Sequence, residues 1–106
     1  MRARGLSAVT AMKALLIFTD TEAVPVFERV LAEEREGFTV LPAVAGSGRR
    51  GLKTGDRVHP GSSSAIFTVV TGGEEDATLL ALRRARDEAG YGDRTRMWSF
   101  AVEEAD

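Results

Sequence analysis

The chain has 106 residues, of which 43% are hydrophobic and 28% charged, and sixteen acidic side chains against fourteen basic ones leave a formal charge of −2. One domain is expected at this length, burying roughly 60–70% of the surface that the unfolded chain exposes. The near-neutral balance excludes a histone-like or generally basic nucleic-acid binder. The absence of cysteine excludes a disulfide framework, a thiolate metal site and a thiol nucleophile, and fits a cytosolic home.

Residues 1–11, MRARGLSAVTA, carry positive charge and small residues as a signal peptide does, but their apolar stretch is far too short. They are read as an unstructured extension, with Met12 an alternative start and residues 12–106 the folded unit. No run of about 18 apolar residues follows, so no conventional membrane-spanning helix is expected. Residues 13–19, KALLIFT, suit a central strand. Asp20 and Thr21 then offer capping oxygens, and Val24, Phe27, Val30 and Leu31 recur at helical spacing up to Glu34. Pro25 is tolerable in a first turn, which places the helix start near Glu22 or Ala23, and Gly37 is the expected stop.

Residues 38–45, FTVLPAVA, favour a strand that Pro42 confines to an edge or a bulge. Residues 65–71, AIFTVVT, are the strongest strand of the chain, ended by Gly72 and Gly73. Glu74, Glu75 and Asp76 open a second helix that runs to about Glu88, with Arg83, Arg84 and Arg86 near its end, as the helix dipole favours. Ala77, Leu80, Ala81 and Ala85 form its expected apolar stripe, flanked by Leu79 and Leu82. After a Gly90-Tyr91-Gly92-Asp93 turn, residues 96–102 alternate as a strand, Met97, Ser99 and Ala101 facing one way and Trp98, Phe100 and Val102 the other.

Strand, helix, strand, strand, helix, strand is the order of an α+β, ferredoxin-like βαββαβ sandwich, a four-stranded antiparallel sheet with two helices on one face. All four strands carry apolar residues on both faces, so the uncovered face is expected to be buried by self-association.

Between the second and third strands lie residues 46–64, far more than a tight hairpin needs. From position 46 to 61 this loop holds five of the eleven glycines, four basic residues (Arg49, Arg50, Lys53, Arg57) and one acid, Asp56. Glycines let backbone N–H groups approach a phosphate closely, and guanidinium groups grip its oxygens in pairs. A second glycine turn with charges occupies residues 90–96, so two such turns could clamp one nucleotide. Neither matches the Walker pattern or the dinucleotide-binding pattern.

The order of elements, Gly46-Ser47-Gly48-Arg49 at the start of the long loop, Val58-His59-Pro60-Gly61 leading to Ser64-Ala65-Ile66-Phe67, and Gly92-Asp93 before the last strand together resemble PII-like signalling proteins. The resemblance spans nearly everything from Met12 onward. It implies a cytoplasmic homotrimer that binds adenine nucleotides (ATP, ADP or AMP) in clefts between subunits, requires no cofactor, and regulates a protein partner, a membrane transporter among the candidates, through the long T-loop. It places Gly46, Gly48, Arg49 and Arg50 at the loop base, Gly92, Asp93, Arg94 and Arg96 in a phosphate-facing turn, and Thr39 near the adenine. These roles are electrostatic and positional, without bond chemistry. The loop has no tyrosine, so the uridylylation switch of the nitrogen-regulatory members has no acceptor there. Arg94 stands where those members have a glycine, which favours the divergent branch associated with transport and metal efflux.

His59, the single histidine, would need Asp56, Asp93 or symmetry-related chains to hold a metal. A metal-responsive trimer related to the divalent-cation tolerance proteins is therefore the alternative reading. Ser62, Ser63 and Ser64 lie near His59 in sequence, but no nucleophile elbow surrounds them. Trp98 and Phe100 are read as core or interface residues, because the aromatic platforms of nucleic-acid binders come with a basic groove.

Overall fold

A computed structural model of the chain describes residues 12–44, 46–48, 51–53, 62–71 and 73–105, with backbone alone at 46–48 and 51–53. Strand β1 (Met12–Asp20) leads through a 3-10 turn, Thr21–Ala23, into helix α1 (Val24–Glu33). Then come β2 (Thr39–Val44), the short strands β3 (Gly46–Gly48) and β4 (Gly51–Lys53), β5 (Ser63–Thr71), helix α2 (Glu75–Glu88), a 3-10 turn at Gly92–Arg94, and β6 (Arg96–Val102). The main sheet has the order β2-β5-β1-β6 and is antiparallel throughout. The expected ferredoxin-like α+β arrangement is what the chain adopts. The expected extension at 1–11 lies outside the described residues.

Alternation along the strands sorts the side chains onto two faces. Leu15 and Ile17 of β1 and Ile66 and Val70 of β5 are fully buried with Val24, Phe27, Val30 and Leu31 of α1 and Leu82 of α2. Val40 and Met97 extend this layer to the two edge strands. The register sets the opposite face in rows, Phe67–Leu16–Trp98 and Val69–Ala14–Phe100. Phe18 meets Trp98 edge-on at 5.5 Å. Trp98 is 50% exposed and Phe100 44%, and Leu41 and Val69 are exposed on the same face. Trp98 and Phe100 are thus no part of the core of the single chain.

Three local expectations are corrected. The second helix buries Thr78 and Leu82, with Leu79, Ala81 and Ala85 packed against the core, while Leu80 is exposed. Its stripe is rotated because Thr78, four residues before Leu82, lies on the inner face. Asp20 and Thr21 cap nothing with their side chains; their oxygens are engaged elsewhere, as described below. The reversal after α1 falls at Arg35 (φ 61°) rather than at Gly37. Arg35 N–H donates to Ala32 at 3.1 Å and Glu36 N–H to Leu31 at 2.9 Å, a Schellman closure. Helix α2 ends the same way at Gly90 (φ 83°), with Gly90 N–H on Asp87 and Tyr91 N–H on Arg86. Pro42 has the expected effect on both counts: β2 is an edge strand, and its register with β5 breaks between Leu41 and Val44, where Ala43 adopts φ 54°.

The two helix ends differ only in the residue forced into the left-handed region, where a β-carbon is unfavourable. Arg35→Gly is expected to stabilise the fold by about 1 kcal/mol and Gly90→Ala to destabilise it by about 1–2 kcal/mol. Urea-denaturation midpoints measure both.

Burial, then the like charge of Glu74, raises the Glu36 pKa above the usual carboxylate value. The folded state therefore holds this proton more tightly than the unfolded one, and stability is lost as pH rises through the folded-state pKa. Glu36→Gln should stabilise at pH 7, with the advantage vanishing below about pH 4, as denaturation at several pH values would show.

Candidate functional site

Three consecutive residues at the end of β1 organise one end of the sheet. Thr19 is buried, and its hydroxyl lies 2.8 Å from that of buried Thr95, which precedes β6. Asp20 is 1% exposed, and Arg94 Nε lies 2.6 Å from its Oδ2. Thr21 donates its backbone N–H to Ser62 O at 2.8 Å, and its hydroxyl lies 2.6 Å from Ser62 Oγ and 2.9 Å from Ser64 Oγ. Ser64 Oγ also accepts the backbone N–H of Ala43 at 3.2 Å.

These contacts make two anchors on one strand end. Thr21 ties both ends of the long loop, since it bonds Ser62 and Ser64 at the far end and Ser64 in turn bonds Ala43 just before the near end. Val44 pairs with Ser63, and Ser63 with Asp20. Thr19 and Asp20 tie the turn that carries Gly92, Asp93 and Arg94. The two glycine-containing segments picked out from the sequence thus start from the same end of the sheet. The hydroxyls of Ser62 and Ser64 are held by Thr21 and Ala43, which anchors both serines.

The predicted residues are placed as follows. Gly92, Asp93 and Arg94 form the exposed 3-10 turn, and Arg96 opens β6 opposite Phe18 on the uncovered face. A β-carbon on Gly92 would meet Asp87 Oδ1 at 3.5 Å, ordinary contact. Gly46 and Gly48 pair with Lys53 and Gly51 in the β3–β4 ribbon; the expected irregular loop therefore contains a hairpin, and β5 begins at Ser63. Arg49, Arg50, Asp56 and His59 lie outside the described residues. Thr39 is not brought to this end. It is exposed and pairs with Phe67, four residues along β5 from Ser63, roughly 13 Å away along the strand.

Among the described residues no three His, Asp or Glu side chains come together as metal ligands, and no helix is long and apolar enough to cross a membrane. A groove of about 440 Å³ runs between α1 and α2, lined in part by Arg29, Glu33, Arg84 and Glu88. Its two cations and two anions cancel, which gives it no preference for an anion.

No family model matches the chain, and no curated protein matches it. Solved structures do. CPII from Thiomonas intermedia K12, in a structure with ADP, AMP and acetate bound, matches with a TM-score of 0.68 over 92% of this chain and 91% of that one, at 11% identity. A DUF3240 family protein from Shewanella baltica OS155 matches with a TM-score of 0.68 over 90% and 93%, at 15% identity. The chain has the fold of PII-like proteins. CutA1 from Oryza sativa matches too, with a TM-score of 0.61 over 94% of this chain and 87% of that one, at 10% identity.

In this PII-like fold the long loop leaves β2 and returns into β5, so the Thr21 network closes its base. The Thr19–Thr95 bond does the same for the turn before β6. Thr19→Val, which strands a buried hydroxyl of Thr95, is expected to cost about 1–3 kcal/mol. The double variant with Thr95→Val should cost less than the sum of the two singles, with a coupling of about 1 kcal/mol in a double-mutant cycle.

Proposed function

We propose that this protein is a divergent PII-like signalling module of the cytoplasm, which senses an adenine nucleotide in clefts between subunits of a homotrimer and regulates a protein partner through its long loop. The observation that carries the reading is the common anchoring of the loop base and the 92–94 turn on Thr19, Asp20 and Thr21. Both segments are glycine-containing and carry arginines, the combination that receives phosphate oxygens. The fold match to CPII, solved with ADP and AMP, supports the choice of ligand.

Sheet topology supports a cleft between copies. The loop base leaves edge strand β2 and the turn leads into edge strand β6, three strand spacings away or roughly 14 Å. A neighbouring copy that docks through the uncovered face brings one chain's β2 edge beside another's β6 edge. The exposed Leu41, Val69, Trp98 and Phe100 supply the apolar surface for that contact. In such a cleft Gly46, Gly48, Arg49 and Arg50 of one chain would face Gly92, Asp93, Arg94 and Arg96 of the next, with Thr39 further along the β2 edge toward the adenine. These residues would bind and orient the ligand without bond chemistry.

Calorimetric titration of one sample with ATP, ADP, AMP and divalent metals tests this. Adenine nucleotide is expected to bind, and a hundredfold excess over Kd should add about 2.7 kcal/mol of stability and raise the melting temperature by several degrees. Arg49→Ala or Arg50→Ala should abolish that shift. Gly92→Ala should keep the melting temperature of the free protein and weaken binding, because its β-carbon fits the chain itself. Sedimentation should give a trimer that Trp98→Glu disperses. Binding of metal without nucleotide would favour the divalent-cation reading instead.

A further inference from the structure

We propose that Asp20 is a positioning residue for anion recognition: fixed at the end of β1, its carboxylate holds Arg94 by Nε and so presents the terminal nitrogens of that guanidinium to a ligand phosphate. The inference rests on the reading of the 92–96 turn as phosphate-facing, and adds to it a residue that the sequence marked only as a helix cap.

Both partners of the pair are fixed at their roots. Asp20 ends the central strand β1, paired with Ser63 on one side, and Phe18, two residues earlier, pairs with Arg96 on the other. The neighbouring residues Thr19 and Thr95 are joined by their hydroxyls at 2.8 Å. The backbone at Arg94 is therefore held against the strand end by a contact independent of the ion pair. Arg94 N–H also bonds Tyr91 O at 3.1 Å, closing the 3-10 turn.

The pair is asymmetric in exposure. The Asp20 side chain is 1% exposed and that of Arg94 52%. A guanidinium carries five N–H donors in one plane, one on Nε, which lies 2.6 Å from Asp20 Oδ2, and four on the terminal nitrogens. The four on the terminal nitrogens form the fork that matches two phosphate oxygens at once. An arginine free in solvent would have to give up rotamer freedom to present that fork. One fixed by a buried carboxylate gives up less.

The pair also persists when ligand arrives. Drawing Arg94 away would give up an ion pair made at 2.6 Å by a carboxylate with almost no access to water, which is unfavourable. The phosphate is received by the outer side of an arginine that stays in place. Because the carboxylate offsets the arginine's charge, attraction at long range is weak, and recognition depends on the fork. Lysine, a single ammonium, cannot replace it.

Affinities of the full-length protein for ADP and for adenosine, followed by heteronuclear NMR titration, separate positioning from a structural role. Asp20→Asn should weaken ADP binding by about ten- to a hundredfold and leave adenosine affinity unchanged. Arg94→Lys, which keeps a cation beside Asp20 should Asp20→Asn fail to fold, should show the same selective loss. Equal losses for ADP and adenosine in either variant, or ADP affinity at the wild-type level in either, would overturn the positioning role while the nucleotide site stands. A wild-type protein that binds no adenine nucleotide would overturn both.

Discussion

A carboxylate buried at the end of a central strand is stabilised by a cation beside it, and at Asp20 the ion pair with Arg94 ties the last turn of the chain to the middle of the sheet. Arg94 comes to Asp20 from 74 positions further along the chain. On either side of Asp20, Thr19 and Thr21 spend their hydroxyls on the same end of the fold. Three adjacent side chains thereby add to strand pairing in fixing the roots of two loops.

The division of labour between the faces of the sheet follows from period-two alternation. One face is closed by α1 and α2 around Phe27, Leu15, Ile17 and Ile66, which gives the single chain its core. The other presents Trp98, Phe100, Leu41 and Val69 to the outside. In the proposed oligomer that face would be the contact between copies, an apolar surface separate from the core that folds the single chain. A site assembled across edge strands would then be complete only in the oligomer.

Much of the fold was legible because its signals are local. The residue run 96–102 and the helix of Val24, Phe27, Val30 and Leu31 are spelled out by periodicity, and Pro42 announced the broken edge strand. The rotated stripe of α2 was hidden because a threonine, Thr78, takes a core position that polarity assigns to solvent. Arg35 concealed the end of α1, since nothing in an arginine signals a positive φ. At the candidate site, the glycine turns were visible as composition, whereas the tripeptide that anchors them was not. Thr19, Asp20 and Thr21 look like a strand end and a cap, and their partners lie 41 to 76 residues away. A long-range pairing of Asp20 with Arg94 has no signature in a single sequence beyond the presence of opposite charges.

A crystal structure with ADP bound is the most direct test of the account. It should show phosphate oxygens about 3 Å from the terminal nitrogens of Arg94 in a crevice between two copies, with Arg94 Nε still on Asp20 and the Thr19–Thr95 bond intact. An adenylate seated away from the 92–94 turn, or an Arg94 that has left Asp20 to reach it, would contradict the account.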